Sequence, residues 1–274
     1  MKFADLHLHT VFSDSTYTPR ELINLAGDLD IAIVAVTDHD TVEGIAPTIE
    51  AAKDKDIEVI PAIELTAEHQ GREIHILGYF IEYGNKTLIK ELAVLKENRL
   101  ERLSKMLHKL KEMNVNIKAE QVLKISGAGT VGRLHLARTL VAEGFVNSIY
   151  EAFGKYIGEH SPAYVCGFRF NPAEAIKLIR DYGGIAVLAH PYILKKDDLI
   201  SLFVEQGLRG LEAYYPEHSK AMTRHYKDLA DKYGLLVTGG SDCHGSAKAE
   251  AQLGSIKLPI DFVEKLRQEK EKDK

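Results

Sequence analysis

The chain alternates between two hydrophobic periods. Phe3–Leu8 alternates apolar and polar positions and predicts a strand. Thr18-Pro19-Arg20-Glu21 predicts a helix start, with Thr18 as cap, Pro19 in the first turn and Glu21 completing a capping box. Leu22, Ile23, Leu25 and Ala26 give that helix an apolar face. Ile31–Val36 is a β-branched run of the kind buried on both faces of a sheet. A helix then extends to about Lys53, a strand over 57–63 ends in Glu64, and a strand over 74–80 carries His75 near its start. Strand, polar tip, helix, strand is the rhythm of βα units with a largely parallel sheet.

That rhythm stops over 83–162. Leu88, Leu92, Leu95, Leu103, Met106, Leu110 and Met113 recur at helical spacing, with a Lys/Glu-rich face expected to be solvated. Shorter helical patterns follow at 133–143 and 148–156. The expected organisation is a core built from 1–82 and 163–274, with 83–162 as a helical insertion packed on it. The core resumes with a helix over 172–180 and strands over 185–189, 208–215 and 235–238. The charged end, 269–274, is expected to fray.

Composition narrows the function classes. The 274 residues are 45% hydrophobic and 27% charged, with a formal net charge of −5, which argues against a broad basic surface for duplex nucleic acid. No apolar run is long enough to span a membrane and the first residues do not read as a secretory leader, so the cytoplasm is the expected compartment. Two cysteines, Cys166 and Cys243, make no disulfide framework. Twelve histidines are the unusual count.

Their placement matters more than their number. His7 and His9 lie two apart on a strand and so share a face, with Asp14 a short turn later. Collected along the chain, the polar residues at strand ends are His7, His9, Asp14, His39, Glu64, His75, His190, Asp242 and His244. Gathering so many costly polar groups at one end of a sheet requires pairing or metal coordination. Mixed imidazole and carboxylate ligands suit Mn²⁺, Zn²⁺ or Fe²⁺.

DLHLHTVFSD at 5–14, VTDHDT at 36–41, the strand ending in Glu64, REIHILGYF at 72–80, LAHP at 188–191 and GGSDCHG at 239–245 resemble the PHP (polymerase and histidinol phosphatase) family. The nearest resemblance is to its stand-alone bacterial nucleotide phosphoesterases. It implies a distorted (β/α)7 barrel with a helical insertion, an α/β fold, and three divalent metal ions at strand C-termini. By the family pattern, His7, His9, Glu64 and Asp242 hold the first metal; Glu64 bridges to the second with His75 and His190; Asp14, His39 and His244 hold the third. Cys243, between two of these, reads as a packed small residue.

The implied activity is hydrolysis of a phosphate monoester by metal-bound hydroxide, foremost the 3′-phosphate of nucleoside 3′,5′-bisphosphates. The alternatives are 5′-3′ exoribonuclease action on short RNA, histidinol-phosphate phosphatase activity, and a non-catalytic metal-binding module. The glycine-rich lead into the helix at Arg133 reads as a second phosphate pocket, with Arg133, His135, Arg138 and Lys155 as its basic residues. His218 is the candidate general acid. The expected partner is a small phosphorylated nucleotide or short RNA, with neither a membrane nor an extended duplex involved; oligomeric state stays open.

Overall fold

A computed structural model describes residues 2–166 and 170–272. Its first units follow the local chemistry. Strand β1 (Phe3–Leu8) leads to α1 (Pro19–Asp28), where Thr18 and Glu21 form the reciprocal capping box. Then come β2 (Ile31–Val36), α2 (Ile45–Ala52), β3 (Glu58–His69) and β4 (Arg72–Tyr79). The helical region holds α3 (Lys86–Glu112), α4 (Ala119–Ser126), α5 (Arg133–Ala142) and α6 (Ile149–Ala152), the last running into a π-helix at Phe153–Ile157. The chain returns through α7 (Pro172–Asp181), β5 (Ile185–Leu188), α8 (Leu199–Glu205), β6 (Gly210–Tyr214), α9 (Lys220–Tyr233), β7 (Leu236–Gly239), β8 (Leu258–Pro259) and α10 (Ile260–Lys272).

The sheet runs β7-β6-β5-β4-β3-β2-β1-β8. It curls back on itself: Leu8 pairs with Cys243 just past β7, and His9 N donates to Cys243 O at 3.2 Å. Strands β1 to β7 therefore form a nearly closed barrel, and β8 adds two residues antiparallel to the start of β1. One strand departs from the parallel expectation. Gln70 and Gly71, both with positive φ, turn β3 directly into β4, so β4 runs antiparallel to both neighbours. No helix intervenes to reverse it. The hairpin also extends β3 beyond the predicted end, so Glu64 lies within the strand and not at its tip.

Strand side chains of opposite parity serve two cores. Ile33, Ala35, Ile60, Ala62, Leu77, Tyr79, Ile185 and Val187 pack with Val263 and Leu266 of α10. Val34, Val36, Ile63, Leu65, Ile76 and Leu188 pack with α1, α2, α7 and α8 and with Leu88, Leu92 and Leu95 of α3. The far half of α3 contributes Leu103, Met106 and Leu110 to a third cluster shared with α4, α5 and the π-helix.

Two expectations are corrected here. The polar face of α3 is not wholly solvated, because Arg99 and Arg102 are buried on it. The charged end does not fray up to residue 272, since α10 continues to Lys272; the last two residues lie outside those described. Helices α4, α8, α9 and α10, which sequence patterning did not mark, are also present. No described helix is long and apolar enough to cross a membrane.

Gly240 marks where the barrel closes. A Cβ there would come within 2.3 Å of His7 N and 2.8 Å of His7 Cα. Backbone cannot yield as a side-chain tip can, so Gly240→Ala should cost about 1–3 kcal/mol. Urea unfolding measures this, and an unchanged midpoint would show that the strands do not need this close approach.

Candidate metal centre and substrate cavity

Three elements of local geometry bring the polar strand-end residues together. The alternation of β1 puts His7 and just beyond it His9 on one face. The antiparallel course of β4 places His75, near its start, beside the later residues of β3, with Thr66 opposite it in register. His190 and Asp242 sit just past β5 and β7 with φ of 28° and 51°, left-handed conformations that L-residues adopt under constraint.

Glu64 is the centre. Its Oε2 lies 3.3 Å from His7 Nε2, 3.3 Å from His9 Nε2 and 3.1 Å from His39 Nδ1. Its Oε1 lies 3.0 Å from His75 Nδ1 and 3.2 Å from His190 Nε2. Asp242 Oδ1 is 3.1 Å from His9 Nε2, and Asp14 Oδ1 is 3.2 Å from His244 Nε2. Ligand-type atoms converge within 4.8 Å in three groups: His7, His9, Glu64 and Asp242; His9, Asp14, His39 and His244; and His39, Glu64 and His75. All nine sequence-predicted residues are thus in one place, with His190 facing the Glu64 oxygen that His75 also faces.

The donor set fits divalent metal ions. Nε2 of His7 and His9, Oδ1 of Asp14, Nδ1 of His39 and Oε2 of Glu64 are buried with no well-directed hydrogen bond. Buried polar atoms are normally satisfied, so five such atoms aimed at one another call for a shared cation. The electrostatics agree. Burial opposes ionisation of Glu64, Asp14 and Asp242, yet the imidazoles around them, with Lys248 at Asp242, hold all three carboxyls well below the usual range. Burial also opposes charge on His9 and His75, but neighbouring carboxylates push them up to about 9 and about 10.

Behind these atoms is a second layer that sequence reading missed. Glu212, fully buried within β6, lies 2.9 Å from His7 Nδ1 and accepts from His190 N at 2.8 Å. Such a carboxylate fixes the imidazole tautomer and turns Nε2 inward. Ser13 Oγ donates to Asp38 at 2.6 Å and sits 3.4 Å from His9 Nδ1, so it braces a histidine. Tyr215 OH and Lys248 Nζ each donate to Asp242 Oδ2 at 2.8 Å, leaving Oδ1 for the cluster. Arg99 pairs with Asp40 at 2.7 Å, and Arg102 with Glu73 at 3.1 Å. Cys243 is packed and buried, with its thiol raised by desolvation.

A cavity of about 670 Å³ opens over the cluster. Asp14, His39, Glu64, His75, His190, Asp242 and His244 form one wall; Gly132, Arg133 and Leu134 at the start of α5 form part of another. Of the predicted substrate residues, only Arg133 lines this cavity, held by Glu73 at 2.7 Å and set over the Phe153 and Tyr164 rings. His135 is buried, and its Nδ1 accepts from Gly132 N at 3.0 Å, so it caps α5; desolvation lowers its pKa to about 4. Arg138 is half-buried behind it, within reach of the field of Asp14, and Lys155 is exposed over the Tyr156 ring. His218 does not line the cavity. Its Nδ1 is 2.9 Å from Ala213 O and its ring packs against Tyr192, Tyr215 and Tyr226. The glycine-rich lead is explained by packing: a Cβ on Gly129 would meet Val11 O and Ser13 O at 2.6 Å.

A model of the PHP domain matches residues 5–187. The chain belongs to the PHP domain family. Among its relatives, phosphoribosyl 1,2-cyclic phosphate 1,2-diphosphodiesterase of Eggerthella lenta is 31% identical over 88% of this chain and 94% of its own. The 5′-3′ exoribonuclease Rnm of Escherichia coli is 31% identical over 88% and 84%, and the 3′,5′-nucleoside bisphosphate phosphatase of Chromobacterium violaceum 30% over 91% and 90%. A solved Bifidobacterium adolescentis protein described as a candidate metal-dependent phosphoesterase superposes with a TM-score of 0.88 at 30% identity, covering 97% and 95% of the two chains. Family, relatives and site agree on a metal-dependent hydrolase of phosphoric esters.

For this PHP barrel, Glu212→Gln should preserve shape while weakening the hold on His7. Affinity for Mn²⁺ is expected to fall about 10–100-fold, read by calorimetric titration of metal-free protein. Wild-type affinity in the variant would remove Glu212 from this role.

Proposed function

We propose that this PHP protein removes the 3′-phosphate from nucleoside 3′,5′-bisphosphates. The observation that carries the reading is the shared cavity: the carboxylate–imidazole cluster on one wall and Arg133 with the first turn of α5 on another. Its volume of about 670 Å³ is in the range of small-molecule sites and suits a nucleotide, not a duplex. The first turn of a helix carries N–H groups without intrahelical acceptors, which favours an anion there. Arg102 and Arg133 share the single carboxylate of Glu73, so that wall keeps a net positive charge.

In this reading His7, His9, Glu64 and Asp242 hold one ion, Glu64, His75 and His190 a second, and Asp14, His39 and His244 a third, with Mn²⁺, Zn²⁺ and Fe²⁺ all compatible. Bound divalent ions supply Lewis acidity and a water of lowered pKa. The chain's own residues do the rest. Arg133 and the start of α5 fix the 5′-phosphate, which orients the 3′-phosphate toward the cluster. Tyr215 and Lys248 hold Asp242 in one rotamer. Lys248 also lines the cavity, whereas His218 packs against Tyr192 and Tyr215 outside that lining, so this reading gives His218 no direct contact with substrate.

A second reading is 5′-3′ exoribonuclease action on short RNA. It is favoured by the rim, where an aromatic side chain that further bases of a strand could meet, Tyr150, lines the cavity and is 89% exposed.

Turnover of adenosine 3′,5′-bisphosphate, a short 5′-phosphorylated oligoribonucleotide and histidinol phosphate, compared side by side with Mn²⁺, tests the choice. The bisphosphate should give the highest kcat/KM; a clear preference for either rival would replace the proposal. Arg133→Ala should raise KM for the bisphosphate about 10–100-fold, the loss of a charge-assisted contact, and that for p-nitrophenyl phosphate far less. Equal losses on both would take Arg133 out of the second pocket. Asp242→Asn should abolish turnover and lower bound metal, measured by elemental analysis.

A further inference from the structure

The rim of the cavity carries a residue that packing does not explain. Tyr150 is 89% exposed, whereas the other large apolar side chains on the surface of the described residues are 37–46% exposed. It lines the same cavity as the metal cluster, flanked by Ile149 and by Phe153 one helical turn on. An aromatic ring left in water beside an anion-binding cavity forgoes a large burial gain unless something covers it.

We propose that Tyr150 is the platform on which the substrate's nucleobase stacks. The inference rests on the nucleotide reading above and adds to it the part of the substrate that the phosphate contacts leave undescribed.

The platform is pre-organised. Ser148 caps α6 by accepting from Glu151 N at 3.0 Å, and Glu151 in turn accepts from Asn147 N and Nδ2 at 2.8 and 3.1 Å. Immediately behind it, Ala152, Tyr156 and Ile157 are anchored in the helical core. The backbone beneath the ring is thus a fixed turn, so stacking has only the Tyr150 side chain to order. Phe153 is already engaged beneath Arg133 at 5.5 Å, so the same segment supports the phosphate contact and the base contact. A base anchored through its sugar phosphates between the cluster and Arg133 would lie toward this rim. Every base has a π face, so stacking discriminates base-bearing from base-free substrates and not one base from another.

The chain has no tryptophan, so Tyr150→Trp introduces a single tryptophan at the platform, excited selectively beyond the absorption of the tyrosines. Its emission should be quenched by adenosine and uridine 3′,5′-bisphosphates and left unchanged by ribose 5-phosphate or inorganic phosphate, with nucleotide binding verified by equilibrium dialysis. Tyr150→Ala should raise KM for the nucleoside bisphosphates relative to that for the base-free 1,2-dideoxyribose 3,5-bisphosphate by roughly 5–150-fold, the usual range for one stacked base. An unresponsive fluorophore with nucleotide bound, or a KM ratio that does not move, overturns the proposal while leaving the nucleotide reading intact. A wild-type protein that hydrolyses ribose 5-phosphate as efficiently as the bisphosphates overturns the nucleotide reading, and the platform with it.

Discussion

A single buried carboxylate sets the terms for the rest of the molecule. Glu64 is wholly excluded from solvent and is surrounded by the imidazoles of His7, His9, His39, His75 and His190. A charge in that position is tolerated only if its partners are held to it. The five imidazoles come from β1, from the segments after β1, β2 and β5, and from β4. Only a sheet curled far enough for β1 to meet the end of β7 completes the ring, and the tight approach of Gly240 to His7 is the local expression of that curl. The fold and the chemistry therefore share one constraint. Changes that loosen the barrel at its closure act on the metal centre even when they touch no ligand.

Most of the inner ring could be read in the chain because its signals are local. Two histidines separated by one residue on a strand share a face, and a βα rhythm brings successive strand ends to the same rim. What could not be read depends on distant neighbours. Glu212 stands in a short strand that reads as ordinary, and its role appears only when β6 lies beside β5 and β1 has closed on β7. Arg99 and Arg102 sit in a charged helix whose composition suits a solvated face, yet they are turned inward by Asp40 and Glu73. The direction of β4 was concealed for a different reason. Gln70-Gly71 is a short turn signal that outweighs the surrounding rhythm, and its effect is to bring His75 to the correct rim. His135 shows the reverse error: its place at a helix start was legible, but its side chain is used to cap that helix and is not free for an anion.

Glu73 connects the two halves of the site. It lies 3.0 Å from His75 Nε2 while also accepting from Arg102 and Arg133. His75 meets Glu64 through its other ring nitrogen, so the chain Glu64–His75–Glu73–Arg133 runs from the cluster to the helical wall. Burial alone would raise the Glu73 carboxyl, and the two guanidiniums and His75 hold it well below its usual range. The helical region is thus tied to the barrel by a buried charge network as well as by the apolar contacts of α3. Removing one member of such a network leaves the others buried and unpaired, which costs more than the pair contributes.

This arrangement separates two tasks. Ions held by imidazoles and carboxylates respond to a phosphoryl group whatever is attached to it, so the barrel rim by itself has little basis for choosing among phosphate esters. Choice must come from groups that meet the remainder of the substrate. Besides the ring around Glu64, the cavity is lined by Arg133, Leu134, Ile149, Tyr150 and Phe153 of the helical region and by Tyr192, Glu217, Lys248 and Glu250 of the barrel loops. The wall can change without disturbing the ring around Glu64, provided that Glu73 keeps its cationic partners. The ring around Glu64 and the rest of the lining are thus built from different segments, the first from strands and their ends, the second from the helical region and the loops after β5, β6 and β7.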